Sequence, residues 1–247
     1  MGVTDGPVAI VDGLRIHYER YGDSGDAIVF VHGYGGAKED WTHQVREFAA
    51  DHRVLVFDHR GHGASDGPAD EGAYTIERLV EDTESLIDCA GFESFHLVGH
   101  SIGGAVAQEI ALGRADRVRS LVLCDTTDWF GDHDLPGGTA PFVPADLART
   151  AARRAESMPA AALRGTWAGL LAWRGTRDRA SAIAPRSLVL YGDGDASRIV
   201  EGSRRLERGI PDARTAVVRG AGHSPHLERP EDWNGAVRRF LRGEDVR

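Results

Sequence analysis

Short apolar runs alternate along the chain with longer stretches of helical periodicity, the pattern of a mainly parallel sheet with helices packed on it. Residues 8–11 and 14–21, separated by Asp12-Gly13, predict an opening antiparallel hairpin, because an Asp-Gly pair suits a tight turn. Further strands are predicted over 27–31, 54–58, 95–99, 120–125, 187–192 and 213–219. Helical periodicity falls between them, over 41–50, 76–90, 102–112, 199–208 and 233–241. The expected fold class is therefore α/β, with eight mostly parallel strands and flanking helices.

The alternation breaks once. Over 126–184 no strand pattern occurs, and Pro136-Gly137-Gly138, Pro141, Pro144 and Pro159 punctuate helix-forming segments. This predicts a helical insertion after the sixth strand, dividing the chain into a core of 1–125 and 185–247 and an inserted unit of 126–184. Leu163, Trp167, Leu170 and Leu171 stand at i, i+4, i+7 and i+8, one stripe of an amphipathic helix that covers the core or lines a pocket. Trp129, Trp167 and Trp173 all fall in the insertion and are candidate substrate contacts, the alternative being a small core of their own. Residues 145–184 carry seven arginines against Asp146, Glu156 and Asp178. Such a run usually faces water; the sharper reading is that Arg174, beside Trp173, meets a substrate carboxylate.

Composition narrows the function. The chain has 247 residues, 41% hydrophobic and 27% charged, enough to bury a sizeable core, and no stretch approaches the roughly 20 apolar residues of a membrane span. Its first residues show no basic start followed by an apolar stretch and a cleavage site, so a cytoplasmic location is expected. The net charge of -9 argues against nucleic acid as partner and favours a small molecule. Cys89 and Cys124 lie in apolar runs without CxxC spacing and are expected to be two reduced core thiols.

Gly99-His100-Ser101-Ile102-Gly103 follows an apolar strand and opens a helical run. GxSxG in that context is a nucleophile elbow, whose sharp turn exposes the serine and leaves no room for side chains at the glycine positions. A serine hydroxyl needs a base to take its proton, and the base needs an acid to orient it. Asp195 lies just after the seventh strand in Tyr191-Gly192-Asp193-Gly194-Asp195, and His223 follows the eighth in Gly220-Ala221-Gly222-His223-Ser224-Pro225. All three would project from the carboxyl ends of strands, where open α/β sheets bind ligands. Backbone N–H groups are needed for a developing oxyanion. Val31-His32-Gly33-Tyr34-Gly35-Gly36 offers that of Tyr34, with Gly33 letting the chain bend to the substrate, and Ile102 offers the other. The glycine run has neither phosphate-binding pattern, GxGxxG or GxxxxGK. The two histidines of Asp58-His59-Arg60-Gly61-His62-Gly63-Ala64-Ser65 match no zinc motif, so no metal is expected there.

With these motifs in this order, and with Gly222-His223 followed by Glu228-Arg229-Pro230, the chain resembles the α/β-hydrolase fold superfamily over nearly its whole length, and within it small bacterial esterases and lactonases, including enol-lactone hydrolases. The resemblance implies a lid after the sixth strand, where 126–184 falls, and no cofactor. It also raises a second candidate acid, because some members take theirs from the end of the sixth strand, where Asp125 stands. The family usually places a proline soon after its acid, whereas Ala196-Ser197-Arg198 follow Asp195 here. The implied activity is hydrolysis of a carboxylic ester or lactone through Ser101, His223 and Asp195. Related dehalogenases and epoxide hydrolases use an aspartate where this chain has Ser101. A carbon–carbon bond hydrolase of the same fold and a ligand receptor without turnover are the alternatives.

Overall fold

The computed structural model describes residues 7–131 and 158–246, together with residues 149, 150, 153 and 156. The strands are β1 (Val8–Val11), β2 (Leu14–Tyr21), β3 (Ala27–Val31), β4 (Arg53–Phe57), β5 (Phe95–His100), β6 (Val118–Cys124), β7 (Ser187–Gly192) and β8 (Ala213–Val218). They form a single sheet in the order β1-β2-β4-β3-β5-β6-β7-β8. β1 and β2 pair antiparallel, as do β2 and β4, and every pairing from β4 to β8 is parallel. This is the eight-stranded, mostly parallel sheet of an α/β fold, with crossovers supplied by helices.

β3, β5 and β7 are buried at every position, which explains the unbroken apolar run of β3 and the apolar centres of the other two. Successive side chains leave the sheet on opposite faces. Val29, Val31 and Leu97 accordingly join one buried cluster with Ile102 and Val106, while Ile28, Phe30 and Val98 join another with Trp41 and Trp233.

The helices are α1 (Thr42–Phe48), α2 (Ile76–Cys89), α3 (Ile102–Gly113), α4 (Ala160–Ala172), α5 (Ser197–Gly209), α6 (Pro225–Glu228) and α7 (Pro230–Leu241). α5 and α7 begin earlier than their apolar periodicity predicts, because their first residues are polar or proline and show no burial pattern. The predicted 41–50 helix is shorter and preceded by a 3₁₀ turn over Lys38–Trp41. One expectation is corrected: Cys124 is a buried free thiol, but Cys89 is exposed, since it closes α2 at the edge of the helix's buried face, next to exposed Asp88.

The proline-rich stretch from Pro136 to Pro144, with Asp146 and Arg154, lies outside the described residues. The chain leaving β6 stays buried through Asp128. Asp128 accepts from Arg205 of α5 at 2.8 Å and from Arg177 at 3.2 Å, and its carbonyl takes the Thr176 N–H at 2.7 Å. α4 docks by its small residues: a Cβ on Gly165 would lie 2.5 Å from the Glu71 carbonyl oxygen, and one on Gly169 2.3 Å from that of Tyr74. The predicted stripe is therefore not the deepest face of this helix. Leu170 is buried, whereas Leu163, Trp167 and Leu171 are half-buried beside it.

Candidate active site

Ser101 joins β5 to α3 with φ 53° and ψ -117°, a conformation that costs a residue with a side chain about 1–3 kcal/mol and persists only when its surroundings enforce it. They do so from both sides. Its N–H donates to the Cys124 carbonyl at 3.0 Å, and its carbonyl accepts from the Thr126 hydroxyl at 2.7 Å and the Gly104 N–H at 2.9 Å. A Cβ on Gly99 would stand 2.3 Å from the Gly103 carbonyl oxygen, and one on Gly103 2.3 Å from that of Val31, so both glycines of the motif are required by close approach. Ile102 opens α3, so its N–H belongs to the first turn, where no intrahelical carbonyl reaches it.

The loops after β7 and β8 bring two more groups to Ser101. His223 Nε2 lies 3.1 Å from Ser101 Oγ, and His223 Nδ1 lies 2.8 Å from Asp195 Oδ2. A carboxylate can only accept, so Nδ1 carries the proton and Nε2 faces the hydroxyl as an acceptor. The Asp195 side chain is 2% exposed and that of His223 30%, so the acid is shut from water while the imidazole keeps partial access. Burial pushes the His223 imidazole down, but the charge and hydrogen bond of Asp195, with the charge of Glu228, outweigh it and hold His223 above its ordinary value. For Asp195 burial pushes up, and the His223 imidazole together with the Ala196 N–H brings it below the usual carboxylate range.

Two residues hold the His223 loop that the sequence reading left without a role. The Glu228 carboxylate accepts the N–H groups on either side of the histidine, Gly222 at 2.8 Å and Ser224 at 2.9 Å. His100 Nε2 donates to the His223 carbonyl at 2.7 Å, and burial lowers this imidazole to about 3, so it is neutral. An acidic residue one turn beyond the histidine was a readable signal for Glu228; nothing local marks His100 as its partner.

The predicted contacts separate. Gly33 lies against the nucleophile, where an added Cβ would meet Ser101 Cβ at 3.2 Å. Tyr34 reaches from this loop to α4, donating to the Leu163 carbonyl at 3.1 Å and meeting the Trp167 ring edge-on at 5.5 Å. Trp173, by contrast, is 3% exposed and donates its indole N–H to Glu109 at 2.7 Å, so it packs into the core. Trp129 stacks with Arg177, and Arg174 is exposed. Neither makes a described contact with Ser101 or His223.

Asp125, the second candidate acid, makes no hydrogen bond with His223; its Oδ1 accepts the Gly192 N–H at 3.0 Å instead. The Asp58–Ser65 loop is held by its own polar groups. Asp58 accepts from the Lys38 N–H at 2.8 Å and the Ala64 N–H at 3.0 Å, and Arg60 forms a two-pronged buried pair with Asp82 at 2.7 Å. His32 Nδ1 donates to the Gly33 carbonyl and its Nε2 accepts the His59 N–H. Among the described residues, the one group of three or more side chains spaced to hold a metal ion is Asp125, Asp195 and His223, not these histidines. No described helix is long and apolar enough to cross a membrane.

Comparison with known proteins identifies the fold and the family. A sequence model of the family described as alpha/beta hydrolase fold matches residues 26–171. The structure is similar to that of the enol-lactonase from Burkholderia xenovorans LB400, with a TM-score of 0.82 and 26% identity over 96% of this chain and 100% of that one. The sequence is 29% identical over 265 aligned positions, 95% of this chain and 68% of the other, to the dihydrolipoyllysine-residue acetyltransferase component of the acetoin cleaving system of Cupriavidus necator. It is 35% identical to epoxide hydrolase 4 of Mus musculus over 45% of this chain and 31% of that protein.

Proposed function

The chain belongs to the α/β-hydrolase fold family, and from that premise we propose that it is a serine hydrolase of carboxylic esters or lactones. The observation that carries the reading is His223, placed between Ser101 at 3.1 Å and Asp195 at 2.8 Å. His223 takes the hydroxyl proton as Ser101 attacks the carbonyl, and Asp195 fixes the tautomer and stabilises the imidazolium. The N–H groups of Tyr34 and Ile102 receive the developing oxyanion. His223 then returns the proton to the leaving oxygen, and a water, activated by the same base, releases the acyl group from Ser101. In a lactone the leaving oxygen remains tethered to the acyl chain, so one substrate gives one hydroxy acid.

Residues 126–184 serve in this reading as a cap, and Trp167 of α4 and Tyr34 form the apolar wall of the acyl site. Ser101 supports ester chemistry over the epoxide chemistry named for one relative, because related epoxide hydrolases attack with an aspartate at this place.

A fluorophosphonate probe and a panel of acyl esters and lactones test the proposal. Label should map to Ser101, and Ser101→Ala should lose label and about 10⁴-fold or more of kcat/KM, with Asp195→Asn close behind. An adduct on another residue, or turnover undiminished in Ser101→Ala, overturns it.

A further inference from the structure

Behind Asp195 lies a second carboxyl that the mechanism above does not use. Asp125 follows β6 and is fully buried, at 0% exposure. Its Oδ1 accepts the Gly192 N–H at 3.0 Å, and the Cys124 thiol lies 3.3 Å from its Oδ2. One oxygen of Asp125, one of Asp195 and a ring nitrogen of His223 lie within 4.8 Å of one another, so the two acids share one buried site. Two carboxyl groups sharing a buried site cannot both ionise without strong repulsion, and a proton kept on one of them can bridge to the other.

The neighbours decide which one. Asp195 faces the His223 Nδ1–H at 2.8 Å and the Ala196 N–H at 2.6 Å, two donors that favour its charged form. Asp125 faces one amide, a weakly donating thiol and the Asp195 charge itself, with no cation in contact. We propose that Asp125 is a neutral carboxylic acid whose O–H donates to Asp195, making it a positioning residue that holds the ionised acid against His223. This rests on the reading of Ser101, His223 and Asp195 as the reacting groups.

Burial, and then the Asp195 charge, push the Asp125 carboxyl well above the usual range, in keeping with the shared proton. The consequence reaches His223, whose other charged or titratable neighbours are Glu228, Arg198, His100 and His226. A neutral donor withdraws charge from Asp195 and moderates its pull on the imidazole. A second carboxylate would add to that pull.

Asparagine reproduces the neutral acid, its NH₂ replacing the O–H and its oxygen still accepting from Gly192; alanine does neither. NMR titration of His223 in wild type, Asp125→Asn and Asp125→Ala reads the difference without substrate. In Asp125→Ala the midpoint should rise and kcat fall by about tenfold or more with KM little changed, while Asp125→Asn should keep the midpoint within about 0.3 units and restore most of the rate. The carboxylic C=O infrared band of the wild type at pH 7, lost in Asp125→Asn, should report the proton directly, whether or not the alanine variant folds. Absence of that band, or a midpoint in Asp125→Asn displaced by about a unit or more, overturns the proposal. Absence of turnover in the wild type would remove only the hydrolase reading, since neither measurement needs substrate.

Discussion

Mild acid should destabilise this protein well before its carboxylates titrate, because the fold buries neutral histidines. His59, His62 and His226 are 1% exposed, His96 5% and His100 8%. Burial lowers His62 and His100 to about 3, His96 to about 4, and His59 and His226 well below the ordinary value of 6.5. Below pH 6.5 the unfolded chain takes up these protons and the folded chain does not, so stability falls as pH drops. Each histidine costs about 1.4 kcal/mol between pH 7.5 and 5.5, and the five together about 7 kcal/mol. Groups whose proton the fold favours work the other way; burial raises Asp82 in this sense too, though its two-pronged pair with Arg60 opposes the rise. Asp125 keeps a proton that the unfolded chain releases, which offsets at most about 3 kcal/mol over the same interval. His223, held above 6.5, offsets at most about 1.4 kcal/mol. A net loss of about 2 kcal/mol remains, a large fraction of the 5–15 kcal/mol typical of a folded domain. Urea titrations followed by tryptophan fluorescence, with Trp41 and Trp233 fully buried as reporters, measure it directly. A urea midpoint that is unchanged or higher at pH 5.5 than at pH 7.5 would refute the assignment of neutral buried histidines.

The rate should depend on pH in the opposite sense to any acid-requiring step. kcat/KM should climb as His223 loses its proton, with a midpoint above 6.5 because Asp195 and Glu228 raise it, and EDTA should leave it unchanged; a midpoint at or below about 6 counts against the Asp195 pairing. Glu228→Gln removes the charge and weakens one of the two amide contacts, so the midpoint should fall and the melting temperature drop by an amount worth about 1–2 kcal/mol. Pairing pH–rate profiles with thermal melts checks this, and no change in either would show that the clamp is idle.

Much of the architecture was legible without coordinates because it rests on local burial. Runs such as Ile28–Val31 fit strands buried on both faces once helices flank the sheet, and all eight strands, including the partly exposed β1, β2 and β8, stand close to where the pattern puts them. The elbow was legible for the same kind of reason: glycines at 99 and 103 are demanded by a turn spanning only a few residues. His223 and Ser101 could be named from their motifs, since each sits at a loop whose form is set by its own neighbours.

What pairs across the chain was not legible. Asp195 and Asp125 both follow buried strands, and no rule of spacing says which reaches an imidazole carried on a third loop. Distance alone separates them, 2.8 Å from His223 to Asp195, with Asp125 turned to Gly192. Trp167 and Trp173 likewise look alike in sequence, six positions apart. The close docking of Gly165 and Gly169 against the backbone at 71–74 turns Trp167 toward Tyr34, while Trp173, just past the end of α4, falls against Glu109. Glycine spacing, charge and apolar period are properties of neighbours along the chain. Which proton is shared, and between which two acids, depends on the loops after β6 and β7 being brought together by the sheet, as the Gly192 N–H bond to Asp125 across 67 residues shows, and only the packed structure decides it.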